Sequence, residues 1–387
     1  MMTWREYLQR AGDADTLLDL LGDRNDELLQ QEACRLFFLS LATGYLTTFA
    51  DPDLPDFVPA VNTILNSSSA NPDFVYYQAT IDGTGTYRIS GERGQALFVL
   101  LDIAAGGLGV MDELGPSLGT IDFDSLTLGT DGAFDLLLST ARPDAWTGDW
   151  RPLDPKARTL VIRQASYNWG AEKDGRFAIE RIDKPLAPRR PDASEIARRL
   201  ERLAGHPKRY AGLWLGHMAG QRAKGLVNRF EHDDWAGRGG VVGQHYFQGL
   251  FRLEPGHALI FETALPDRVR YWNVQLADPL WNAIDWLNRQ GSLNGGQARL
   301  DADGRFRAVI ALEDPGVPNW LDPGGWNDGS IMLRWTEASS GPEPSLRSVP
   351  LSELRAELPA ETPVVDPDER QQSLRARRRG VQLRRRW

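Results

Sequence analysis

The chain has 387 residues, of which 41% are hydrophobic and 25% are charged, and its formal net charge is −9. This composition excludes an intrinsically disordered chain, and the length predicts more than one hydrophobic core. The single cysteine, Cys34, excludes an intramolecular disulfide and a thiolate metal cluster.

The N-terminal segment, residues 1–70, predicts a helical cap. Apolar residues recur at helical spacing in the run DELLQQEACRLFFLSLATGYLTTF, where Leu29, Ala33 and Leu36 fall on one stripe. The first residues contain no apolar signal core, and no run in the chain is apolar enough to span a membrane. We therefore expect a cytoplasmic location and no membrane partner.

Residues 71–185 change to the two-residue period of β-strands and predict a first β-sandwich domain. Seven short runs rich in β-branched and aromatic residues alternate there with Gly, Asp or Pro. The turn sequence DGTGT lies between the first two runs and predicts a hairpin.

Residues 186–238 predict a helical connector, and residues 239–338 predict a second β-sandwich domain. The connector contains RYAGLWLGHMAGQRAKGLVNRF, which is apolar on most faces and is expected to pack between the two β-domains. Six strand-like runs follow, among them QHYFQGLFRL, RYWNVQL and GQARLDA. The predicted class is α+β, mainly β, with two antiparallel units that resemble sandwiches or jelly rolls.

Residues 339–387 predict a linker and an arginine-rich helical tail. From Asp366 onward the tail has eight arginines and three acidic residues, whereas the rest of the chain is acidic. Such a tail can bind nucleic acid or lie on the acidic body of its own protein. We favour the second interpretation, a clamp within the chain or between subunits, over a nucleic-acid partner.

Three sequence segments of the C-terminal half resemble those of a known family: RYWNVQLADPLW, GSLN and DPGVPNWLDPGGW, in this order. Together they resemble domain of unknown function 1214 (DUF 1214), closely over about residues 240–337 and more loosely over residues 70–183. The resemblance implies a β-sandwich or jelly-roll structure with helical additions. It implies no reaction, because the family is named for having none assigned.

The loop ALEDPGVPNWLDPGGW, residues 311–326, predicts a first candidate site. Its prolines restrict the backbone and its glycines permit positive φ, so the loop is expected to hold one shape. Asn319 and Trp320 would bind substrate, while Asp314 and Asp322 would act in acid–base catalysis. In the alternative interpretation, the aspartates cap turns and Trp320 seals one end of the sandwich.

The segment YWNVQLADPLWNAIDWLNRQGSLN predicts a second group of site residues. A strand over its first residues places Tyr271, Asn273 and Gln275 on one face and three apolar residues on the other. Buried amides need partners, so the amide face either meets solvent or lines a polar cavity. Further candidates in this segment are Trp281 and Asn294 for substrate binding and Asp285 for catalysis.

Three classes of function remain open. The first is a cofactor-independent hydrolase, lyase or isomerase in which aspartates act on an apolar-ring or carbohydrate-like substrate in a cleft lined by Trp, Asn and Gln. The second is a non-catalytic small-molecule binding protein, and the third is a structural or assembly module. We also expect a homo-oligomer, because an indole in a rigid loop is typical of interfaces. The histidines lack metal-ligand spacing, so we expect neither a metal nor a cofactor.

Overall fold

The structure is a computed structural model that describes residues 2–107, 109, 115–187, 190–233, 235, 240–241 and 243–384. The helices are α1 (Trp4–Gly12), α2 (Glu27–Thr48), α3 (Ala193–Ala204), α4 (His206–Ala223), α5 (Leu354–Glu357) and α6 (Pro367–Leu383), with short 3-10 helices at Asp13–Leu20 and Phe123–Ser125. In these described residues, no helix combines the length and the apolarity that a membrane crossing requires.

The first β-unit is a sandwich of two sheets. Its strands are β1 (Val58–Pro59), β2 (Phe74–Thr80), β3 (Tyr87–Glu92), β4 (Phe98–Ala104), β5 (Ser117–Asp122), β6 (Ala133–Ser139), β7 (Asp149–Pro152), β8 (Thr159–Ala165) and β9 (Arg176–Arg181). One sheet has the order β1-β2-β8-β4-β5 and the other has the order β7-β6-β3-β9. Alternate apolar side chains from both sheets, such as Ile89, Leu101, Leu136 and Ile162, form one core between them.

The second β-unit repeats this two-sheet plan. Its strands are β10 (Arg229–Asp233), β11 (Gln244–Arg252), β12 (His257–Thr263), β13 (Tyr271–Ala277), β14 (Ser292–Asn294), β15 (Phe306–Ile310), β16 (Trp320–Leu321), β17 (Asp328–Thr336) and β18 (Ser345–Pro350). The sheet orders are β10-β11-β17-β13-β14 and β16-β15-β12-β18. Phe261, Val274, Phe306 and Leu333 belong to the core between these sheets.

One sheet of each unit faces the other unit. We call β1-β2-β8-β4-β5 the first facing sheet and β10-β11-β17-β13-β14 the second facing sheet. Phe74 and Phe98 of the first facing sheet pack against Tyr271 of the second, with ring centroids 5.4 and 5.8 Å from that tyrosine. The two sandwiches therefore meet through the outer surfaces of these sheets.

The predicted fold class is confirmed: the chain is α+β and mainly β, with two sandwich-like units, a helical cap, a helical connector and an arginine-rich tail helix. Most strand pairs are antiparallel, as predicted. Two short pairs, β6 with β7 and β15 with β16, are parallel.

The second unit extends further than the predicted range 239–338. β10 lies within the segment predicted as a connector, and β18 lies within the segment predicted as a linker and tail. Both are short, charged edge strands whose sequence pattern is weak, and they form by pairing with β11 and β12. The predicted boundary at residues 238 and 239 lies outside the described residues.

Two local predictions are wrong. The turn DGTGT does not close a hairpin, because β2 and β3 belong to different sheets of the first unit. The run GQARLDA forms no strand; it forms turns and a single bridge between Leu300 and Phe306. For DGTGT the local pattern correctly indicated a turn, and for GQARLDA it wrongly indicated a strand; in both cases the packing of whole sheets determined which segments pair.

The arginine-rich tail lies on the protein's own body. The Asp366 carboxylate caps α6 by accepting the N–H groups of Asp368 and Glu369. Arg370, Arg377 and Arg384 follow at seven-residue intervals, which is about two helical turns and places them on one face. Residues 385–387, the end of the predicted tail, lie outside the described residues.

This arginine face joins the two units. Arg370 pairs with Asp314 of the second unit, with Nε 2.8 Å from the carboxylate. Arg384 pairs with Asp174 of the first unit at 2.7 Å and donates to the backbone oxygen of Asp73. Between them, Arg377 donates to the Trp286 and Ser292 carbonyl groups. The tail helix therefore acts as an intramolecular clamp.

Candidate functional site

The two faces of β13 follow the predicted two-residue period. Trp272, Val274 and Leu276 belong to the core of the second sandwich. The Tyr271, Asn273 and Gln275 side chains point the other way and are at most 1% exposed. The amide face is thus buried against the first unit, which removes the solvent-exposed alternative.

These amides meet a segment that precedes β2. Asn71 donates to the Tyr271 hydroxyl at 2.8 Å, and Asn273 donates to the Asn71 side-chain oxygen at 3.1 Å. Gln275 donates to the backbone oxygen of Ser69 at 3.0 Å. Each of these three hydrogen bonds crosses between the units, so the amides form a polar layer that fixes how the two sandwiches dock.

A buried carboxyl group sits at one end of this polar layer. Asp73 accepts hydrogen bonds from the Tyr271 hydroxyl at 2.7 Å, the Trp169 indole at 2.9 Å and the Asn294 amide. Burial raises the pKa of Asp73 and holds the pKa of Tyr271 well above its ordinary value. Asn294, predicted as a ligand of substrate, instead helps to hold Asp73 in place.

Strand register brings two rows of side chains face to face. In the first facing sheet, Gln78, Val161 and Asp102 lie side by side on β2, β8 and β4. In the second facing sheet, Tyr246, Arg334 and Asn273 lie side by side on β11, β17 and β13. A polar row on the outer surface of a sheet ordinarily meets solvent, but here five of these six residues, all but Asn273, line a common cavity.

A cavity of about 230 Å³ lies where the facing sheets meet helices α2 and α4. One stripe of α4, with His206, Tyr210 and Trp214 at four-residue spacing, forms part of its wall. Its aromatic lining includes Tyr76, Tyr210, Trp214, Trp235, Tyr246 and Trp281.

The indoles of the lining pack against each other. The rings of Trp235 and Trp281 are stacked, with centroids 5.5 Å apart and planes 18° apart. Trp214 lies 4.9 Å from Trp281 in a tilted arrangement. Three indoles from three separate segments thus form a continuous aromatic wall.

A tight turn positions Trp281. Asp278 accepts the N–H groups of Leu280 and Asn282 through one carboxylate oxygen, at 2.9 and 2.8 Å. Burial raises the pKa of Asp278 to about 6. The turn holds Trp281 at a φ of 67°, a left-handed conformation that is unfavourable for a bulky residue.

Backbone strain is concentrated around the cavity. Among the described residues, six other than glycine have positive φ, and four of these line the cavity: Ser68, Ser69, Trp235 and Trp281. Each such residue costs about 1–3 kcal/mol and persists only where the surrounding structure imposes it. Strain of this kind is typical of functional sites.

The cavity also contains charged and titratable groups. Asp102 forms an ion pair with Arg163 and accepts a hydrogen bond from Thr120 at 2.6 Å. Burial lowers the pKa of His206 to about 4, so its imidazole is neutral at pH 7. Arg334 lines the opposite side and is 6% exposed.

The loop predicted as the first candidate site lies elsewhere. The Trp320 indole donates to the Ala311 carbonyl at 2.9 Å, and the Arg370 guanidinium covers its ring at 5.3 Å. Asn319 donates to the carbonyl groups of Arg299 and Arg307. Neither Asn319 nor Trp320 is among the described residues that line the cavity.

The three predicted catalytic aspartates occupy three separate turns. Asp285, Asp314 and Asp322 each accept the backbone N–H two residues further on, at 3.1, 2.9 and 2.8 Å. Asp314 is also paired with Arg370, and Asp322 with Arg289. None of the three is among the described residues that line the cavity. In each Asp-x-Gly or Asp-x-Leu turn the carboxylate is used to close the turn itself.

Of the predicted site residues, Trp281 lines the cavity, while Tyr271, Asn273, Gln275 and Asn294 lie in the polar layer behind it. Sequence reasoning missed Asp102, Arg163, His206 and Arg334. The available signal was a polar residue at alternate positions of otherwise apolar strands in both units, as in TLVIRQA and SIMLRW.

The first of two solved structures compared with this chain supports the fold. A putative uncharacterized protein from Burkholderia cenocepacia, known from a crystal structure, is 26% identical, with a TM-score of 0.84 over 90% of this chain and 97% of that one. The VPA0106 protein from Vibrio parahaemolyticus is 12% identical, with a TM-score of 0.48 over 81% of this chain and 98% of that one. No protein-family model and no curated protein matches the chain, so the resemblance to DUF 1214 stays a prediction.

Proposed function

We propose that this protein binds a small, planar, largely apolar molecule in the cavity between its two sandwiches. The observation that carries the proposal is the wall of three indoles, Trp214, Trp235 and Trp281, around about 230 Å³. An apolar cavity of about 150 Å³ accommodates benzene, so this one fits a ligand of one or two rings. Aromatic faces bind such rings by stacking and by burial of apolar surface.

The strained backbone of the lining supports a binding site over a packing defect. The strained backbone at Ser68, Ser69 and Trp281 is stabilised by contacts that cross between the units, including the bond from the Ser69 N–H to the Trp281 carbonyl at 2.7 Å. A merely imperfect interface would relax this strain by closing the gap, because interiors pack densely. The lining is therefore held open by the docking of the two sandwiches.

Isothermal titration calorimetry with the neutral probes benzamide and naphthamide tests this proposal. We expect at least one probe to bind the wild type. Val161→Trp fills the cavity from β8 and is expected to abolish binding, whereas Val364→Trp, at a site that is 73% exposed, leaves binding unchanged. Equal binding to the Val161→Trp variant, or failure of the wild type to bind both these probes and their carboxylate analogues, would contradict the proposal.

Catalysis in the same cavity is the second candidate, because a carboxylate and a neutral imidazole, from Asp102 and His206, lie in its wall. A panel of aromatic esters and amides, followed by NMR, tests it. Conversion by the wild type that is lost in Asp102→Asn and kept in Asp322→Asn supports catalysis in the cavity. Loss in Asp322→Asn alone returns the catalytic role to the loop at residues 311–326.

A further inference from the structure

The buried guanidinium of Arg334 uses only part of its hydrogen-bonding capacity. One terminal nitrogen, Nη1, donates to the side-chain oxygens of Gln275 at 2.6 Å and Asn273 at 3.3 Å. The other, Nη2, donates to the Ser69 backbone oxygen at 3.3 Å. Arginine has five N–H donors, so the Nε–H and one Nη2 hydrogen have no partner among the described residues.

No carboxylate in the described part of the chain lies within ion-pair distance of Arg334. Asp102, on the opposite wall, is already paired with Arg163. Asp73 is held by Tyr271, Asn294 and Trp169 at the end of the polar layer. The acceptors of Arg334 are neutral amides and a carbonyl, so its charge is buried without a counter-ion from these residues.

A buried charge without a counter-ion is unfavourable, and proteins ordinarily pair such a charge or use it to bind a ligand. Arg377 shows the contrast. It is half-buried, it donates to four acceptors and it does not line the cavity. Both guanidinium groups also lie over an aromatic ring, that of Trp169 for Arg377 and that of Tyr246 for Arg334, at 4.4 and 5.8 Å. Arg334 lines the cavity and keeps an unused Nε and Nη2 edge, which matches the two oxygens of a carboxylate.

Other polar atoms of the cavity also lack hydrogen-bond partners. Among the described residues, the indole nitrogens of Trp214 and Trp281 and both ring nitrogens of His206 are buried without a hydrogen-bond partner. All three side chains line the same cavity as Arg334. The two indole N–H groups can only donate, and a neutral imidazole has one donor and one acceptor, so a ligand in the cavity gains hydrogen bonds mainly by supplying acceptors.

We infer that the ligand is an aromatic or other planar carboxylate whose carboxylate group binds the free edge of Arg334 while its ring stacks on the indole wall. This inference rests on the proposed function and adds the charge of the ligand to it. Ser69 links the two parts of the site, because its carbonyl accepts from Arg334 and its N–H donates to the Trp281 carbonyl. The distance between anchor and ring is thereby fixed by one residue.

Matched pairs of probes separate the two claims. Benzoate and naphthoate have the shapes of benzamide and naphthamide but carry a charge, and all four are titrated into the full-length protein by calorimetry at neutral pH. We expect a carboxylate to bind about ten- to hundredfold more tightly than its amide, as for a hydrogen bond to a charged group. Arg334→Gln is expected to remove this preference, and Arg334→Lys to retain part of it.

The control is Arg88→Gln, which removes a half-exposed arginine from the sheet that faces away from the second unit. It is expected to leave the preference for carboxylates unchanged. Equal affinity of the wild type for each carboxylate and its amide overturns the inference and leaves the proposed function standing. A preference that survives Arg334→Gln also overturns it, while failure of all four probes to bind overturns the proposed function. The comparison of probes on the wild type decides the question even if the Arg334 variants do not fold.

Discussion

Two tryptophan-bearing turns of the second unit, one around Trp281 and one around Trp320, look alike in sequence but differ in structure. Both contain an Asp-Pro pair, and both indoles are at most 8% exposed. The Trp320 nitrogen donates to Ala311 and its ring is covered by Arg370. The Trp281 indole nitrogen has no hydrogen-bond partner among the described residues. The Trp281 backbone is strained, and its ring lines the cavity.

Burial alone therefore does not separate a structural indole from a binding one. The Trp320 turn has its hydrogen bonds made within the chain, so a ligand has little to add there. The Trp281 turn retains an unused donor and is held in an unfavourable conformation, as binding residues often are. The state of the polar atoms and of the backbone decides between the two roles.

The largest expected effect comes from removing each ring. Trp320→Ala should lower the free energy of unfolding by about 3–5 kcal/mol, because it empties a well-packed space and leaves Ala311 without a donor. Trp281→Gly should lower it by less, because glycine adopts positive φ without strain and this offsets about 1–3 kcal/mol. Denaturant unfolding measures both changes. Binding should respond in the opposite order, with naphthamide lost in Trp281→Gly and kept in Trp320→Ala.

The contribution of the Trp281 turn to the free energy of unfolding should depend on pH, because this turn contains Asp278. The pKa of Asp278 rises from 3.8 to about 6 on folding, so the folded state holds the proton more tightly than the unfolded state. The contribution of this group to stability is therefore present below about pH 4 and falls by about 3 kcal/mol as the pH rises through 6. Unfolding curves of the wild type and Asp278→Asn should diverge over that interval, and parallel curves would contradict the account.

A smaller effect is expected when each indole is replaced by phenylalanine. Trp320→Phe leaves the Ala311 carbonyl unpaired, so it should cost about 1 kcal/mol more than Trp281→Phe, which removes a donor that has no partner. Thermal unfolding of the two variants measures the difference. Equal losses of stability in the two variants would show that the Trp281 indole N–H has an acceptor in the folded protein and would contradict this prediction.

The smallest effect concerns the ion pair at the Trp320 turn. Arg289 is about half exposed and pairs with Asp322 at 3.0 Å. Arg289→Ala should lower the free energy of unfolding by at most about 1 kcal/mol, because exposed ion pairs are screened by solvent. A much larger loss, or a loss of ligand binding, would give the Trp320 turn a role that the structure does not support.

Much of the fold could be predicted from the sequence because the strands alternate clearly. In β13 the two-residue period places the amides and the apolar residues on the faces that the structure shows. The tail also carried a usable signal, since Arg370, Arg377 and Arg384 recur every seven residues and form one contact face. Edge strands such as β10 and β18 were missed because pairing, more than local composition, makes them strands.

The cavity could not be located from the sequence. Val161 and Arg334 are far apart along the chain and meet only because the outer surfaces of two separate sheets face each other. The Asp-Pro-Gly turns around Asp314 and Asp322 predicted a catalytic site because aspartate carboxylates can act in acid–base catalysis. Their carboxylates are used to close turns and to bind arginines, which a spacing rule does not distinguish from catalysis.

NMR of the indole N–H groups tests most directly whether a ligand binds at the Trp281 turn or at the Trp320 turn. In the ¹⁵N-labelled protein, the indole N–H groups of the thirteen tryptophans give NMR signals that can be assigned with single Trp→Phe variants. On addition of naphthoate, the account predicts that the Trp214 and Trp281 indole signals shift, because these donors line the cavity and gain an acceptor, while the Trp320 signal stays in place. A shift of the Trp320 signal with unchanged Trp214 and Trp281 signals would contradict the account and return the site to the loop at residues 311–326.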